Sequence, residues 1–205
     1  VAVSPRSLLR LLQAGESVLL YPGGIREAFK GKGEAYKLFW PEGPGEADFV
    51  PLAARAGAIV VPVAAVGAEE AVDLLVDTDE LLALPWGVGD LLARAAKEVP
   101  VGRPGETFLS PLFCPRPEPP RLYHCFGRPF DLAGLDPADK EAAARVYGEI
   151  REALEGDIAW LLDRRRHDPY GRFVPRWLYE GLRGWREQAP TFSLEEGGDG
   201  PGEAR

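Results

Sequence analysis

The amino-acid sequence predicts an α/β fold in which a mostly parallel sheet is flanked by helices. Two apolar runs, residues 17–21 and 58–65, have the composition of buried strands. Residues 48–56 between them have a helical pattern that stops before Gly57. A strand, a helix and a second strand in succession indicate a parallel pair with a right-handed crossover. Pro62 lies inside the second run, so we expect an edge strand or a local break there.

Helix signals are also present near both ends of the chain. Ser4 is a suitable N-cap before Pro5, and a leucine-rich stretch follows, which predicts a first helix. The longest helical pattern spans residues 137–166, where apolar residues recur at three- and four-residue steps and form a stripe that we expect to face the core. A short aromatic helix is predicted at 176–185, which packs either on the body of the protein or on lipid.

The middle of the chain is predicted to be less regular. Residues 69–84 contain two short helical patterns and residues 90–98 a third, and we expect their leucines to pack against the sheet. Residues 100–120 are rich in proline and predict a loop. Residues 121–126 have the pattern of another strand, closed by Gly127.

Composition restricts the class of protein. The chain has 205 residues and is 45% hydrophobic, which is enough for one domain with a sizeable core. It carries 24 basic and 32 acidic side chains, and the resulting net charge of −8 disfavours nucleic-acid binding. Cys114 and Cys125 supply neither a disulfide framework nor a four-ligand zinc site. We therefore predict no metal and a reducing compartment.

Two further absences bear on the extent of the chain. No apolar run approaches the roughly 20 residues that span a bilayer, and no signal or transit peptide is recognisable. The sequence also contains no methionine. We therefore expect an N-terminally truncated piece of a longer protein, in which the first strands and helices of the fold are missing.

The candidate binding site is the turn after the first predicted strand. Gly23 and Gly24 follow Pro22 and allow a ligand to approach the backbone, and Arg26 and Glu27 come next. Charged residues just beyond a strand end occupy the usual position of a site in an open α/β sheet. Three lysines extend this stretch into a basic region that suits an anionic ligand such as the phosphates of coenzyme A; they are Lys30, Lys32 and Lys37. A solvated loop is the equally supported alternative.

Two blocks in this region carry a resemblance: Tyr-Pro-Gly-Gly-Ile-Arg-Glu-Ala at 21–28 and Gly-Glu-Ala-Tyr-Lys-Leu-Phe-Trp-Pro at 33–41. Together they resemble the C-terminal acyltransferase region of the phytyl ester synthases, which are similar to diacylglycerol acyltransferases in the wider lysophospholipid and glycerol-phosphate acyltransferase superfamily. The resemblance implies that residues 1–170 are the C-terminal part of an acyltransferase domain. We expect a helical extension at 171–190 and a disordered, acidic and Gly-rich tail at 191–205.

The resemblance also implies an activity. It implies transfer of a fatty acyl group from acyl-coenzyme A or acyl carrier protein, as co-substrate, to a lipid hydroxyl of phytol or diacylglycerol. It implies a peripheral membrane or lipid-droplet surface, in the plastid at the plastoglobule or thylakoid. No separate cofactor is implied. Phosphate-acceptor members of the superfamily carry Glu-Gly-Thr-Arg after a proline, and only Gly24 and Arg26 match that motif, which favours an uncharged acceptor.

The catalytic base implied by the resemblance is the histidine of a His-x4-Asp motif. His124 and His167 both lie downstream of the glycine turn, and the fifth residues after them are Pro129 and Arg172. Neither histidine therefore makes the motif, and both are expected to be structural or exposed. We expect the catalytic histidine to lie upstream of Val1, so this chain alone is predicted to be inactive.

Three hypotheses follow for the function. In the first, Arg26 binds the donor phosphate or carbonyl oxygen, Glu27 orients Arg26, and Gly23, Gly24 and Lys37 complete the substrate-binding site; a structural ion pair is the alternative for Arg26 and Glu27. In the second, the chain is a noncatalytic half-domain that binds the acyl donor or lipid. In the third, water replaces the alcohol and the protein hydrolyses acyl esters. A Gly-x-Ser-x-Gly nucleophile motif and a phosphate-binding loop are both absent.

Overall fold

The computed structural model describes residues 4–41, 49–76, 78–96 and 112–193. The helices in these ranges are α1 (Pro5–Gln13), α2 (Gly24–Ala28), α3 (Phe49–Ala56), α4 (Thr78–Leu82), α5 (Val88–Ala96), α6 (Lys140–Arg164) and α7 (Phe173–Leu182). The strands are β1 (Ile59–Val60), β2 (Val63–Val66), β3 (Val72–Val76), β4 (Leu112–Pro115), β5 (Tyr123–Phe126) and β6 (Phe130–Asp131). Two single 3-10 turns, Ala68–Glu70 and Arg165–His167, complete the regular structure in these ranges.

The strands pair in three antiparallel ladders: β1 with β6, β2 with β5, and β3 with β4. The first two ladders continue one another, because the Gly127 amide donates to the Pro62 carbonyl at 2.9 Å between them. Pro62 has no N–H to donate, which explains why the ladder is interrupted at this position. Residues 59–66 and 123–131 therefore form one long ribbon with a break in its middle.

The predicted parallel sheet is not found, because every strand pair in the described ranges is antiparallel. Residues 17–21 form no strand, and Leu19 and Tyr21 are exposed. The run at 58–65 forms β1 and β2, but the partner of both is the later segment 123–131, which returns in the opposite direction. An apolar run shows that a segment is suited to a sheet, whereas it does not show which distant segment will pair with it.

Two predictions in the middle of the chain also need correction. The first helical pattern in 69–84 is strand β3, whose side chains alternate between half-buried and exposed because the segment pairs with β4. The second pattern is α4, as predicted. Of the predicted loop at 100–120, residues 112–115 form β4, and residues up to 111 lie outside the described ranges.

The helices with clear end signals are confirmed. The Ser4 hydroxyl accepts the Ser7 amide at 3.2 Å and caps α1, and α3 ends before Gly57, whose φ is +62°. The predicted helix at 137–166 is α6, which begins at Lys140 behind the N-cap Asp139. The predicted aromatic helix is α7, although it begins three residues earlier than the prediction.

The core lies where α6 packs on the ribbon. One cluster joins Trp40, Phe130 and Tyr147 with α3, and the second joins Tyr123 and Leu161 with β2. The rings of Trp40 and Tyr147 are in contact, with 5.2 Å between their centroids, so Trp40 is part of the core. In the part of the chain that the structure describes, no helix has the length and apolarity needed to cross a bilayer.

Candidate functional site

The glycine turn and α2 bring the predicted binding residues together. The Gly24 amide donates to the Tyr21 carbonyl at 2.9 Å, and Gly24 has a φ of +55°, which favours glycine. At Gly23 the Glu27 side chain folds against the backbone, where a Cβ atom would overlap it. The space beside Gly23 that a ligand could enter is therefore filled by the Glu27 side chain.

Arg26 is held in one orientation by two neighbours. Its Nη1 and Nη2 atoms donate to Glu34 Oε2 and Oε1 at 2.8 and 2.6 Å, and its guanidinium lies 3.8 Å from the centre of the Phe39 ring. The Gly31 amide also donates to Glu34 Oε2, at 2.6 Å. The hydrogen bonds from Arg26 lower the pKa of Glu34, although burial opposes this. The Arg26 side chain nevertheless remains 41% exposed.

Glu27 contributes indirectly to the same arrangement. Its Oε1 accepts the Phe39 amide at 2.8 Å, which fixes the segment carrying the Phe39 ring under Arg26. The sequence predicted that Glu27 orients Arg26. In the structure the carboxylate in bidentate contact with Arg26 is that of Glu34. The sequence did contain a signal for Glu34, because this residue lies within the block 33–41 that carries the resemblance, eight residues after Arg26.

The basic stretch around Arg26 is largely paired with acids from later segments. Lys30 contacts Glu69 at 2.7 Å, and Lys32 contacts Glu80 at 2.6 Å. Lys37 is exposed and has no ion-pair partner within the described ranges, and its positive charge contributes to the lowered pKa of Glu34. Lys37 is thus the lysine of this stretch that is accessible beside the Arg26–Glu34 pair.

A second charged cluster is centred on the Tyr36 hydroxyl and Glu70. The Tyr36 hydroxyl donates to Glu70 Oε1 and accepts the Gly67 amide, at 2.7 and 3.1 Å, and Arg165 donates to the same Glu70 oxygen at 2.7 Å. Burial, together with the hydrogen bond to Glu70, raises the pKa of Tyr36 to about 12. Burial alone would raise the pKa of Glu70, but the hydrogen bonds from Arg165 and Tyr36 lower it overall. This cluster joins the loop before Trp40 to the C-terminal end of α6.

The two histidines are both exposed. His124 lies on β5 with its side chain on the face away from α6, and His167 ends the 3-10 turn after α6. Within the described ranges neither histidine has a hydrogen bond or an ion pair with a carboxylate, so neither is oriented as a general base would be. The same ranges contain no group of three or more metal-ligating side chains.

Nothing in the sequence indicated that the side chains of two aspartates, Asp157 and Asp168, would be buried. Asp168 accepts from Tyr123 at 2.7 Å and from Arg121 at 3.2 Å, while Arg121 also donates to the Pro190 carbonyl at 2.8 Å. This arrangement attaches residues 189–193 to the body of the protein, and residues 194–205 of the predicted tail lie outside the described ranges. Asp157 on α6 is 5% exposed, and within the described ranges its Oδ2 has no hydrogen-bond partner.

The chain is similar in sequence to several known proteins. The chain is 38% identical over 202 residues to phytyl ester synthase 2, chloroplastic, of Arabidopsis thaliana, which covers 95% of this chain and 28% of that protein. It is 35% identical over 200 residues to phytyl ester synthase 1, chloroplastic, of the same organism, which covers 93% and 28%. An uncharacterized protein of Mycobacterium leprae is 31% identical over 168 residues, which covers 79% and 41%.

The chain therefore spans less than a third of the length of the two Arabidopsis proteins. No protein-family model matches the chain. No solved structure matches it significantly.

Proposed function

We propose that this chain, which belongs to the phytyl ester synthase-like family, is part of an acyltransferase that transfers a fatty acyl group to a lipid hydroxyl. The observation that carries the proposal is the oriented Arg26 in the glycine turn. A guanidinium held by Glu34 on its edge and by Phe39 on its face loses little conformational freedom when an anion binds. A site of this kind suits the donor, whose coenzyme A or carrier-protein phosphates are anionic.

The roles of the site residues follow from their positions. Arg26 binds a donor phosphate or the thioester carbonyl oxygen, and Lys37 adds positive charge beside it. Glu34 and Glu27 position Arg26, the first by direct contact and the second through Phe39. Gly24 supplies the positive φ that turns the chain toward α2.

The proposed acceptor is an uncharged lipid alcohol, with phytol before diacylglycerol. Two relatives are named phytyl ester synthases, and Ile25 stands where the phosphate-acceptor motif has a hydroxyl. The general base is proposed to be a histidine of a His-x4-Asp motif upstream of Val1, since acyl transfer to an alcohol requires removal of the hydroxyl proton. The names of the same relatives support a plastid location, and the plastoglobule or thylakoid surface is the site that we propose within it.

A noncatalytic role in binding the donor or lipid is the second candidate. It is favoured by one observation, which is that His124 and His167 are both exposed and without a carboxylate partner in the described ranges. If that role is correct, the chain binds acyl-coenzyme A but no polypeptide containing it forms an ester. Hydrolysis of acyl esters differs from both, because its product is a free fatty acid whether or not an alcohol is present.

The test uses the native polypeptide that contains residues 1–205, with labelled acyl-coenzyme A or acyl carrier protein and with phytol and diacylglycerol in competition. We expect phytyl ester as the main product, and an Arg26→Ala variant with kcat/KM reduced by roughly tenfold or more, as for loss of a charge-assisted contact with the donor. The matched control is Arg55→Ala, which removes an exposed arginine on α3. Unchanged donor affinity and turnover in the Arg26 variant would contradict the proposed role of Arg26.

A further inference from the structure

Helix α7 contacts the body of the protein through Arg176, Tyr179 and Glu180. Arg176 donates to the Pro119 carbonyl at 3.0 Å, and Glu180 accepts the Ala189 amide at 3.1 Å. The Tyr179 ring lies 4.7 Å from the ring of Tyr170 and is covered by Arg183 on its other flank. An amphipathic surface helix of a globular protein normally turns its large apolar side chains toward the core, whereas four of those on α7 are exposed.

The apolar side of α7 consequently faces solvent. Its members, which we call the α7 stripe, are Val174, Trp177, Leu178, Leu182 and Trp185. The first four recur at three- and four-residue steps on one side of the helix, and Trp185 lies three residues beyond its end. Leu182 is 88% exposed, and the rings of Trp177 and Trp185 meet edge-to-face at 5.9 Å across Gly181. A contiguous exposed apolar surface of this kind marks a docking site.

The charges around the stripe indicate what docks there. Residues 172–187 carry four arginines against two glutamates, whereas the whole chain has a net charge of −8. Arg172 and Arg186 are exposed near the two ends of α7. A stripe of Trp and Leu bordered by arginine is the composition of a helix that lies in the plane of an anionic membrane surface. Association of two copies through the stripe would instead bring like charges together.

We propose that the α7 stripe inserts into the interfacial layer of an anionic lipid surface and attaches the protein to that surface. In this position the Trp and Leu side chains enter the boundary between headgroups and acyl chains, while Arg172 and Arg186 contact lipid phosphates. The polar contacts of α7 with Pro119 and Ala189 hold the helix on the body of the protein. This inference does not depend on acyl transfer, because binding to lipid is measured without substrate.

The test is flotation of the 205-residue chain with vesicles of phosphatidylcholine alone and of phosphatidylcholine mixed with phosphatidylglycerol. We expect binding to the mixed vesicles that weakens as ionic strength rises. The variant Leu182→Ser/Trp185→Ser should reduce the partition coefficient by roughly tenfold or more, since two large apolar side chains are removed. The matched control is Leu91→Ser, which replaces an exposed leucine on α5 and should leave binding unchanged.

A second variant keeps the test decisive if the first one folds poorly. Arg172→Gln/Arg186→Gln leaves the stripe intact and should weaken binding to the mixed vesicles at low ionic strength. Its binding to phosphatidylcholine alone should not change. The proposal is wrong if the native chain does not float with anionic vesicles or if both variants bind as it does. It is also wrong if the stripe variant converts a dimer to a monomer in light scattering while lipid binding persists.

Discussion

Replacing Asp157 by asparagine tests whether a buried carboxylate oxygen destabilises this fold when it has no hydrogen-bond partner in the described ranges. Asp157 lies on α6 and is 5% exposed, and its Oδ2 atom has no hydrogen-bond partner among the residues that the structure describes. The same atom lies against Gly127, where the ribbon is interrupted, and a Cβ atom at that position would overlap it. Burial raises the pKa of Asp157 above its usual value, since the charged form loses hydration that nothing replaces.

The magnitude and the pH dependence follow from this environment. A buried carboxylate oxygen that lacks a hydrogen bond costs at least roughly 1–3 kcal/mol when the group is charged. Because the folded-state pKa is raised, the cost is absent below the unfolded-state pKa and becomes complete above the folded-state pKa. We therefore expect Asp157→Asn to raise the free energy of unfolding by about 1–3 kcal/mol near pH 7 and to have almost no effect near pH 3. Each kcal/mol corresponds to roughly 2–4 °C in Tm for a chain of this length.

Thermal unfolding followed by circular dichroism across this pH range measures the effect. Asp163→Asn is the matched control, because Asp163 lies on the same helix but is exposed and forms only a surface contact with Arg166 at 3.7 Å. Its Tm should stay within about a degree of the native value at every pH. A loss of stability in Asp157→Asn at neutral pH, or a gain that does not change with pH, would refute the reasoning.

Two further predictions concern other buried positions. Gly67→Ala should lower the free energy of unfolding by about 1–3 kcal/mol in chemical denaturation, because Gly67 has a φ of +108° and a Cβ atom would overlap the Arg121 carbonyl. Gly134→Ala is the control, since a Cβ atom at Gly134 would contact no atom beyond its chain neighbours in the described ranges. Asp168→Ala should cost about 3 kcal/mol or more, because Arg121 and Tyr123 lose a shared buried acceptor. It should also speed proteolysis near residues 189–193, and an unchanged cleavage rate would show that Asp168 does not hold that segment.

Local signals predicted the helices well and the sheet poorly. The cap at Ser4, the glycine after α3 and the apolar stripe of α6 are short-range features, and each one specified an element that the structure contains. Strand pairing depends on segments far apart in the chain, so the strand at 58–65 was predicted, whereas its predicted parallel pairing was wrong. Residues 72–76 became a strand because β4, about 40 residues later, was available to pair with them.

The candidate site was predicted in the same uneven way. Arg26, Gly24 and Lys37 could be proposed from a basic stretch beside a glycine turn. The partners of that stretch could not, because Glu69 and Glu80 come from segments 39 and 48 residues away from the lysines that they contact. The orientation of α7 was equally hidden, since its amphipathic pattern gives no indication of which side contacts the body of the protein.

The central claim is that Arg26 is part of the acyl-donor site, and donor binding measures it most directly. Titration of the 205-residue chain with acyl-coenzyme A by calorimetry needs no catalytic base, so it does not require the histidine that we place upstream of Val1. We predict saturable binding that is weakened roughly tenfold or more in Arg26→Ala and unchanged in Arg55→Ala. Equal affinities for all three proteins, or no binding to the native chain, would contradict the account.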